Sequence, residues 1–136
     1  MWLDPAALTS YTTTFFGAQS TDSWISFLPA SGEGKTKLWS GTAWYDAETG
    51  ITTPVNQWTH VVFTVNNGSV KVYINGVEKY SGAGFPDIFK NASAQFGLGV
   101  NYWDTPYQGK IDELKIYRKA LTAAEVQQEY SSVMNP

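Results

Sequence analysis

An all-β fold, with two antiparallel sheets packed as a sandwich and one short helix near the C-terminus, is what the sequence predicts. Three observations predict it. Two runs rich in β-branched and aromatic residues flank Asn67-Gly68, a hairpin signal. Clusters of Gly, Pro and Ser recur at a spacing of about ten residues, as in sandwiches. One helix start stands out, and no alternation of strands and helices suggests a parallel sheet. The 136 residues, 43% hydrophobic and 15% aromatic, suffice for one sizeable core and are read as a single domain over residues 1–136.

Met1-Trp2-Leu3-Asp4-Pro5 reads as the middle of a strand followed by a turn, as in an excised segment with an added Met. Short strands are expected at residues 12–16, 23–28 and 35–39, each bounded by turn residues. The central hairpin joins residues 58–66 to 69–75, and alternation puts Val61, Phe63, Val65, Val70, Val72 and Ile74 in the core. Asn75-Gly76 repeats the turn chemistry, so residues 77–81 return as a third antiparallel strand, ended by Gly82-Ala83-Gly84. Strands over 94–99 and 110–118 follow, with Leu114 and Ile116 on one face. Thr122 then caps a helix over 123–130, with Glu125 completing a capping box, and residues 131–136 read as a linker or frayed end.

The charge of −3 rests on 15% charged residues with no basic cluster, which argues against a nucleic-acid partner. No run approaches the roughly 18 apolar residues of a membrane span, and no secretion signal opens the chain, so a soluble domain with no membrane partner is expected. With no cysteine, disulfides, thiolate zinc and cysteine nucleophiles are excluded.

Gln57-Trp58-Thr59-His60-Val61-Val62-Phe63-Thr64-Val65, followed by Val72-Tyr73-Ile74-Asn75-Gly76, resembles the central hairpin of laminin G-like, concanavalin A-like jelly rolls. Residues 109–117, Gly-Lys-Ile-Asp-Glu-Leu-Lys-Ile-Tyr, with 118–126 after them, are similar to the closing strand and terminal helix of those domains. Residues 2–8 resemble their early strand and turn, although one or two strands that usually lie upstream have no counterpart here. The resemblance implies a jelly-roll sandwich of lectin or carbohydrate-binding-module type, with a polysaccharide or glycan as partner. It implies a secreted or cell-surface setting, bacterial, beside other domains of a parent protein. It also implies that an Asp at the position of Asp112 helps hold a structural calcium in some relatives; hydrogen bonding of Asp112 to backbone at the strand start is the alternative.

Catalysis finds little support. His60 is the sole histidine, sits on the hairpin strand, and reads as a satisfied structural residue; no nucleophile-elbow sequence occurs. Asp112 and Glu113 are adjacent and would point to opposite faces of a strand, so they cannot flank one sugar. Asp46 and Glu48 could share a face, but in an exposed, turn-rich stretch. Phe63, Tyr73 and Phe96 have strand positions suited to core or sheet surface.

Binding rests on aromatics in turn-like segments: Trp39, Trp44 and Tyr45 within 38–46, and Tyr102, Trp103 and Tyr107 within 101–108. Sugars present apolar C–H faces that stack on rings, and hydroxyls that pair with carboxylates and amides; Asp46, Asn101, Asp104 and Gln108 supply those groups. The alternative is that the rings plug the ends of the sandwich and the domain is a structural, adhesion or protein-interaction module. Asn67-Gly68-Ser69 and Asn91-Ala92-Ser93 match the glycosylation triplet, the first being better explained as a turn.

Overall fold

The structure is a computed structural model and describes residues 1–87 and 94–132. Among the described residues ten strands and one helix follow in order: β1 Trp2–Ala7, β2 Phe15–Ser20, β3 Ser23–Leu28, β4 Lys37–Ser40, β5 Tyr45–Glu48, β6 Thr59–Asn66, β7 Ser69–Ile74, β8 Val77–Gly82, β9 Gln95–Leu98, β10 Gln108–Asp112 and α1 Ala123–Ser132. A 3-10 turn, Thr42–Trp44, joins β4 to β5. Two five-stranded sheets result, ordered β10-β1-β6-β7-β8 and β5-β4-β3-β2-β9, with every pairing antiparallel. This is the predicted jelly-roll sandwich.

The hairpin forms where its turn residues place it. Asn67 and Gly68 both have positive φ, 49° and 83°, the geometry whose twist matches paired strands, and Asn75 and Gly76 repeat it. Period-two alternation then directs Leu3, Val61, Val70, Val72 and Ile74 inward against Phe15, Ile25, Phe27, Leu38 and Ala47 of the other sheet. Phe63 is partly buried and packs on this core, and Tyr73 is buried, but Val65 is exposed although its cross-strand partner Val70 is fully buried.

Elsewhere the bounds shift. Residues 12–14 are a buried connector rather than strand: Thr14 backbone N–H and the Thr13 and Thr14 hydroxyls all donate to the Phe27 carbonyl, and β2 starts only at Phe15. β5 was not expected; residues 45–48 pair with β4 although three of their four side chains are polar or aromatic. The strand expected over 110–118 spans Gln108–Asp112 only. Glu113 has φ 53°, which turns the chain out of the ladder and breaks the shared face proposed for Asp112, Leu114 and Ile116; both apolar side chains are exposed. Ser131 and Ser132 belong to the helix rather than to a tail, while 133–136 and the Asn91-Ala92-Ser93 triplet lie outside the described residues. No helix among the described residues is long and apolar enough to cross a membrane.

The capping box forms as predicted: Glu125 N–H donates to Thr122 Oγ1 at 3.2 Å and Thr122 N–H to Glu125 Oε1 at 3.0 Å. The helix buries Val126 and lays Tyr130 on the outer face of the first sheet, stacked on Trp2 and 5.8 Å from the His60 ring. His60 is therefore structural, but not satisfied. Its backbone N–H donates to Asn75 Oδ1, whereas its buried Nδ1 has no partner among the described residues.

Burial, reinforced by the nearby N-terminal ammonium, lowers the His60 pKa from 6.5 to about 4. The folded chain thus resists protonation that the unfolded chain accepts, so stability is complete above pH 6.5 and falls as pH drops from 6.5 toward 4. The loss amounts to about 2–3 kcal/mol. His60→Phe keeps a ring beside Trp2 and Tyr130 and cannot titrate; urea unfolding at pH 7 and pH 4.5 should show a smaller difference for the variant by about that amount. Equal pH dependence in the two proteins would contradict the assignment.

Candidate carbohydrate-binding site

The second sheet is apolar on both faces. In β3, Ile25 and Phe27 enter the main core, whereas Trp24 and Ser26 point the other way. Their cross-strand partners on that outer face are Ala18 and Phe16 in β2 and Trp39 in β4. A second apolar cluster of Phe16, Ala18 and Trp24, with Trp39 packed on it, therefore lies outside the sandwich. Two connections fold over it: the 3-10 turn carrying Trp44, and the segment after β9 carrying Tyr102 and Trp103.

Trp24 is the hub, 6% exposed. Its ring meets Trp39 edge-on at 5.0 Å, Trp44 at 6.4 Å and Trp103 at 5.6 Å. Trp39 also meets Tyr11 at 5.5 Å and Trp44 at 5.7 Å, and Lys37 Nζ lies 4.6 Å from its ring centre. Offset and edge-on contacts of this kind fix ring orientation as well as burying area. Above this support, Trp44 and Trp103 stay 67% and 55% exposed. Together with Tyr11, Thr21, Asp22, Ser26, Asn101 and Asp104 they surround a basin of about 570 Å³.

Local backbone geometry holds the rim. Asn101 Oδ1 accepts the N–H groups of Trp103 and Asp104 at 2.8 and 2.7 Å, and its amide donates to Asp104 Oδ2 at 2.7 Å, closing a tight turn. Trp44 and Tyr11 have φ of 50° and 65°. Aromatic residues rarely adopt that conformation, which costs on the order of 1–3 kcal/mol each. Two rings are thus held at one basin in unfavourable backbone states, one of them largely in water.

The structure accordingly brings together Trp39, Trp44, Asn101, Trp103 and Asp104, with Tyr102 at the back, edge-on to Phe16 at 5.1 Å. It separates the others. Tyr45 turns toward the main core, packs on Phe85 and donates its hydroxyl to the Ala83 carbonyl; its bond from the Tyr80 hydroxyl is the main reason the Tyr80 pKa rises to about 12. Asp46 is ion-paired with Lys37 at 2.5 Å. Tyr107 donates to the Lys110 carbonyl, with burial pushing its hydroxyl pKa up, and Gln108 starts β10, opposite Ala7. Trp24, Tyr11, Thr21, Asp22 and Ser26 were not anticipated. The signal for Trp24 was present: residues 24–28 are apolar at both parities, which requires cover on both faces.

Asp112 ends β10 rather than standing at a strand start, and its carboxylate accepts the N–H of the next residue, Glu113, at 2.8 Å. A hard cation takes six or more oxygens. Among the described residues no group of three His, Cys, Asp or Glu side chains is placed to hold a metal.

Gly41 sets the depth of the basin. Its φ of −73° suits any residue, but a Cβ there would overlap the Trp24 indole. Gly41→Ala is expected to displace that ring, costing about 1–3 kcal/mol in stability as overpacking does. Near-ultraviolet circular dichroism of the tryptophans should change with it; an unchanged spectrum and melting temperature would contradict the packing described.

Comparison with known proteins follows this geometry. The family model described as the concanavalin A-like lectin/glucanases superfamily matches residues 1–127. Domain 4 of AbnA, a GH43 extracellular arabinanase from Geobacillus stearothermophilus, solved in complex with arabinotriose, is 55% identical with a TM-score of 0.91, covering 93% of this chain and 62% of that one. A heptameric SAP-like pentraxin from Limulus polyphemus is 18% identical with a TM-score of 0.74, covering 95% of this chain and 66% of that one, a likeness of fold alone. This chain thus spans about two thirds or less of the length of both. No match is found among curated protein sequences. The chain belongs to the concanavalin A-like lectin/glucanase superfamily.

Proposed function

We propose that this domain is a non-catalytic carbohydrate-binding module that takes a short neutral oligosaccharide, of the arabino-oligosaccharide class, in the basin between Trp44 and Trp103. The observation that carries the reading is the convergence of Trp24, Trp39, Trp44 and Trp103 from separate segments on one concave surface with polar groups at its rim. Rings of this kind offer stacking faces for sugar C–H groups, and Asp22 and Asp104 offer acceptors for hydroxyls. The 55% identity to a domain complexed with arabinotriose supports the choice of sugar. Residues 1–136 would act as one domain of a secreted bacterial glycan-active or surface protein, raising the local concentration of polymer for its neighbours.

Charge narrows the ligand. Among the described residues, two carboxylates and no Lys, Arg or His line the basin, and nearby Lys37 is committed to Asp46. A uronic-acid polymer would bring like charges together. Asp22 is solvent-exposed and Asp104 is tied into its turn by Asn101, whereas a carboxyl that protonates a leaving group needs an apolar surrounding.

Calorimetric titration with arabinotriose and with tri-galacturonate tests the reading. Heat of binding with the neutral trisaccharide alone is expected, with no release of shorter sugars. Binding of neither, or tighter binding of the acid, would overturn it and favour a structural or protein-contact role for the rings.

A further inference from the structure

The aromatic basin is built differently at its two ends. Its floor follows β3, whose outward side chains Trp24, Ser26 and Leu28 all line it. From Trp24 to Leu28 is about 13 Å of strand. At the Trp24 end stand the exposed residues Thr21 and Asp22 and the 3-10 turn that carries Trp44. That turn is fastened there by Gly41 N–H on the Trp24 carbonyl at 3.2 Å and by Thr42 Oγ1 on Ser23 Oγ at 3.3 Å. Trp44 and Trp103 flank this end and remain largely in water, as the two sides of a mouth.

The Leu28 end is crossed by a ring. Tyr11 is delivered there by the connection from β1 to β2, in a turn closed by Thr12 N–H on the Thr9 carbonyl at 3.4 Å, and its own backbone N–H donates to the Ala30 carbonyl at 3.0 Å. Its hydroxyl reaches Gly32, where a Cβ would overlap it. The side chain therefore spans residues 30–32, directly past Leu28, and leans on Trp39 at 5.5 Å. Across the strands the way is also obstructed: Lys37 Nζ covers the Trp39 ring on the β5 side, and the Asn101–Asp104 turn bounds the β9 side. A polymer held by its interior needs two openings, one for each direction of the chain. Among the described residues this basin offers one. Backbone strain points to the same place, since φ 65° at Tyr11 is a state that disfavours tyrosine, and such states cluster where a ligand is clamped.

We propose that Tyr11 closes the basin and makes it a receptor for the end of a glycan chain: the terminal sugar lies against Tyr11 and Trp39, and the rest of the chain leaves between Trp44 and Trp103. This rests on the sugar-binding reading above and adds to it which part of the polymer is taken. Tyr11 is then a specificity-determining residue through its ring, because the ring is what fills the path beyond Leu28. A module of this kind gathers on polymer that has been cut, where chain ends multiply.

Calorimetric titration with arabinotriose, linear arabinohexaose and linear debranched arabinan of known chain length tests the proposal. The trisaccharide and hexasaccharide are expected to bind within about twofold of each other, and arabinan to saturate at one module per chain. Tyr11→Gly, which opens the Leu28 end, should weaken the trisaccharide by about three- to tenfold and raise the number of modules on each arabinan chain several-fold. Tyr11→Phe keeps the ring and should match the unaltered protein in both respects. Affinity of the unaltered protein that climbs about fourfold from trisaccharide to hexasaccharide, as the number of binding registers grows, with many modules on each arabinan chain, would overturn the chain-end assignment and leave sugar binding standing. This stoichiometry decides the question even where Tyr11→Gly does not fold. No heat with any of the three sugars would overturn the sugar-binding reading itself and the assignment with it.

Discussion

Trp44→Gly is expected to weaken binding of arabinotriose by about ten- to a hundredfold while leaving the fold slightly more stable. Truncating a tryptophan at the centre of a contact surface commonly costs 2 kcal/mol or more in binding, and 1.4 kcal/mol is a factor of ten. Stability moves the other way for a backbone reason. Trp44 has φ 50° and is 67% exposed, so the fold bears both a strained conformation and an apolar ring in water. Glycine relieves the first and removes the second, a gain of about 0.5–1 kcal/mol. Opposite signs for affinity and stability distinguish a residue kept for binding from one kept for packing. Calorimetry and thermal melts on one preparation measure both; a fall in melting temperature with unchanged affinity would mark Trp44 as a structural plug.

Trp24→Ala is expected to lose both properties together. Trp24 is buried beneath three other indoles, and removing a buried tryptophan costs about 3–5 kcal/mol. For a chain of this length that lowers the melting temperature by roughly 10 °C or more. Trp39, Trp44 and Trp103 lose their common support, so arabinotriose affinity should fall below measurement although Trp24 itself makes no more than an edge of the basin. Trp24→Phe, which keeps a ring at the site, should recover most of the stability and part of the affinity. Retained binding in a destabilised Trp24→Ala would show that the rim rings do not depend on the hub.

The legible parts of this fold are those governed by local chemistry. Asn67-Gly68 and Asn75-Gly76 announce turns that need positive φ at both residues, and the capping box at Thr122 announces a helix start. β5 escaped notice because Tyr45-Asp46-Ala47-Glu48 buries only Ala47 fully, and an edge strand needs little apolar pattern. β10 ends early because Glu113 leaves the ladder at φ 53°, a backbone state that a glutamate does not announce. In the site, Trp44 and Trp103 were legible as large rings in polar segments. That they share a basin depends on the order β5-β4-β3-β2-β9, which sets the turn before β5 and the loop after β9 around the outer face of β3. Tyr45 and Tyr107 looked equivalent to them in sequence; a tyrosine hydroxyl, however, can be satisfied inward by a carbonyl, as both are here.

The most direct test of sugar binding in the aromatic basin is a titration of the 15N-labelled protein with arabinotriose, following the six tryptophan indole N–H signals. The account predicts that the signals of Trp44 and Trp103 shift most, Trp24 and Trp39 less, and Trp2 and Trp58 stay in place. Shifts confined to Trp2 or Trp58, or none at saturating sugar, would contradict it.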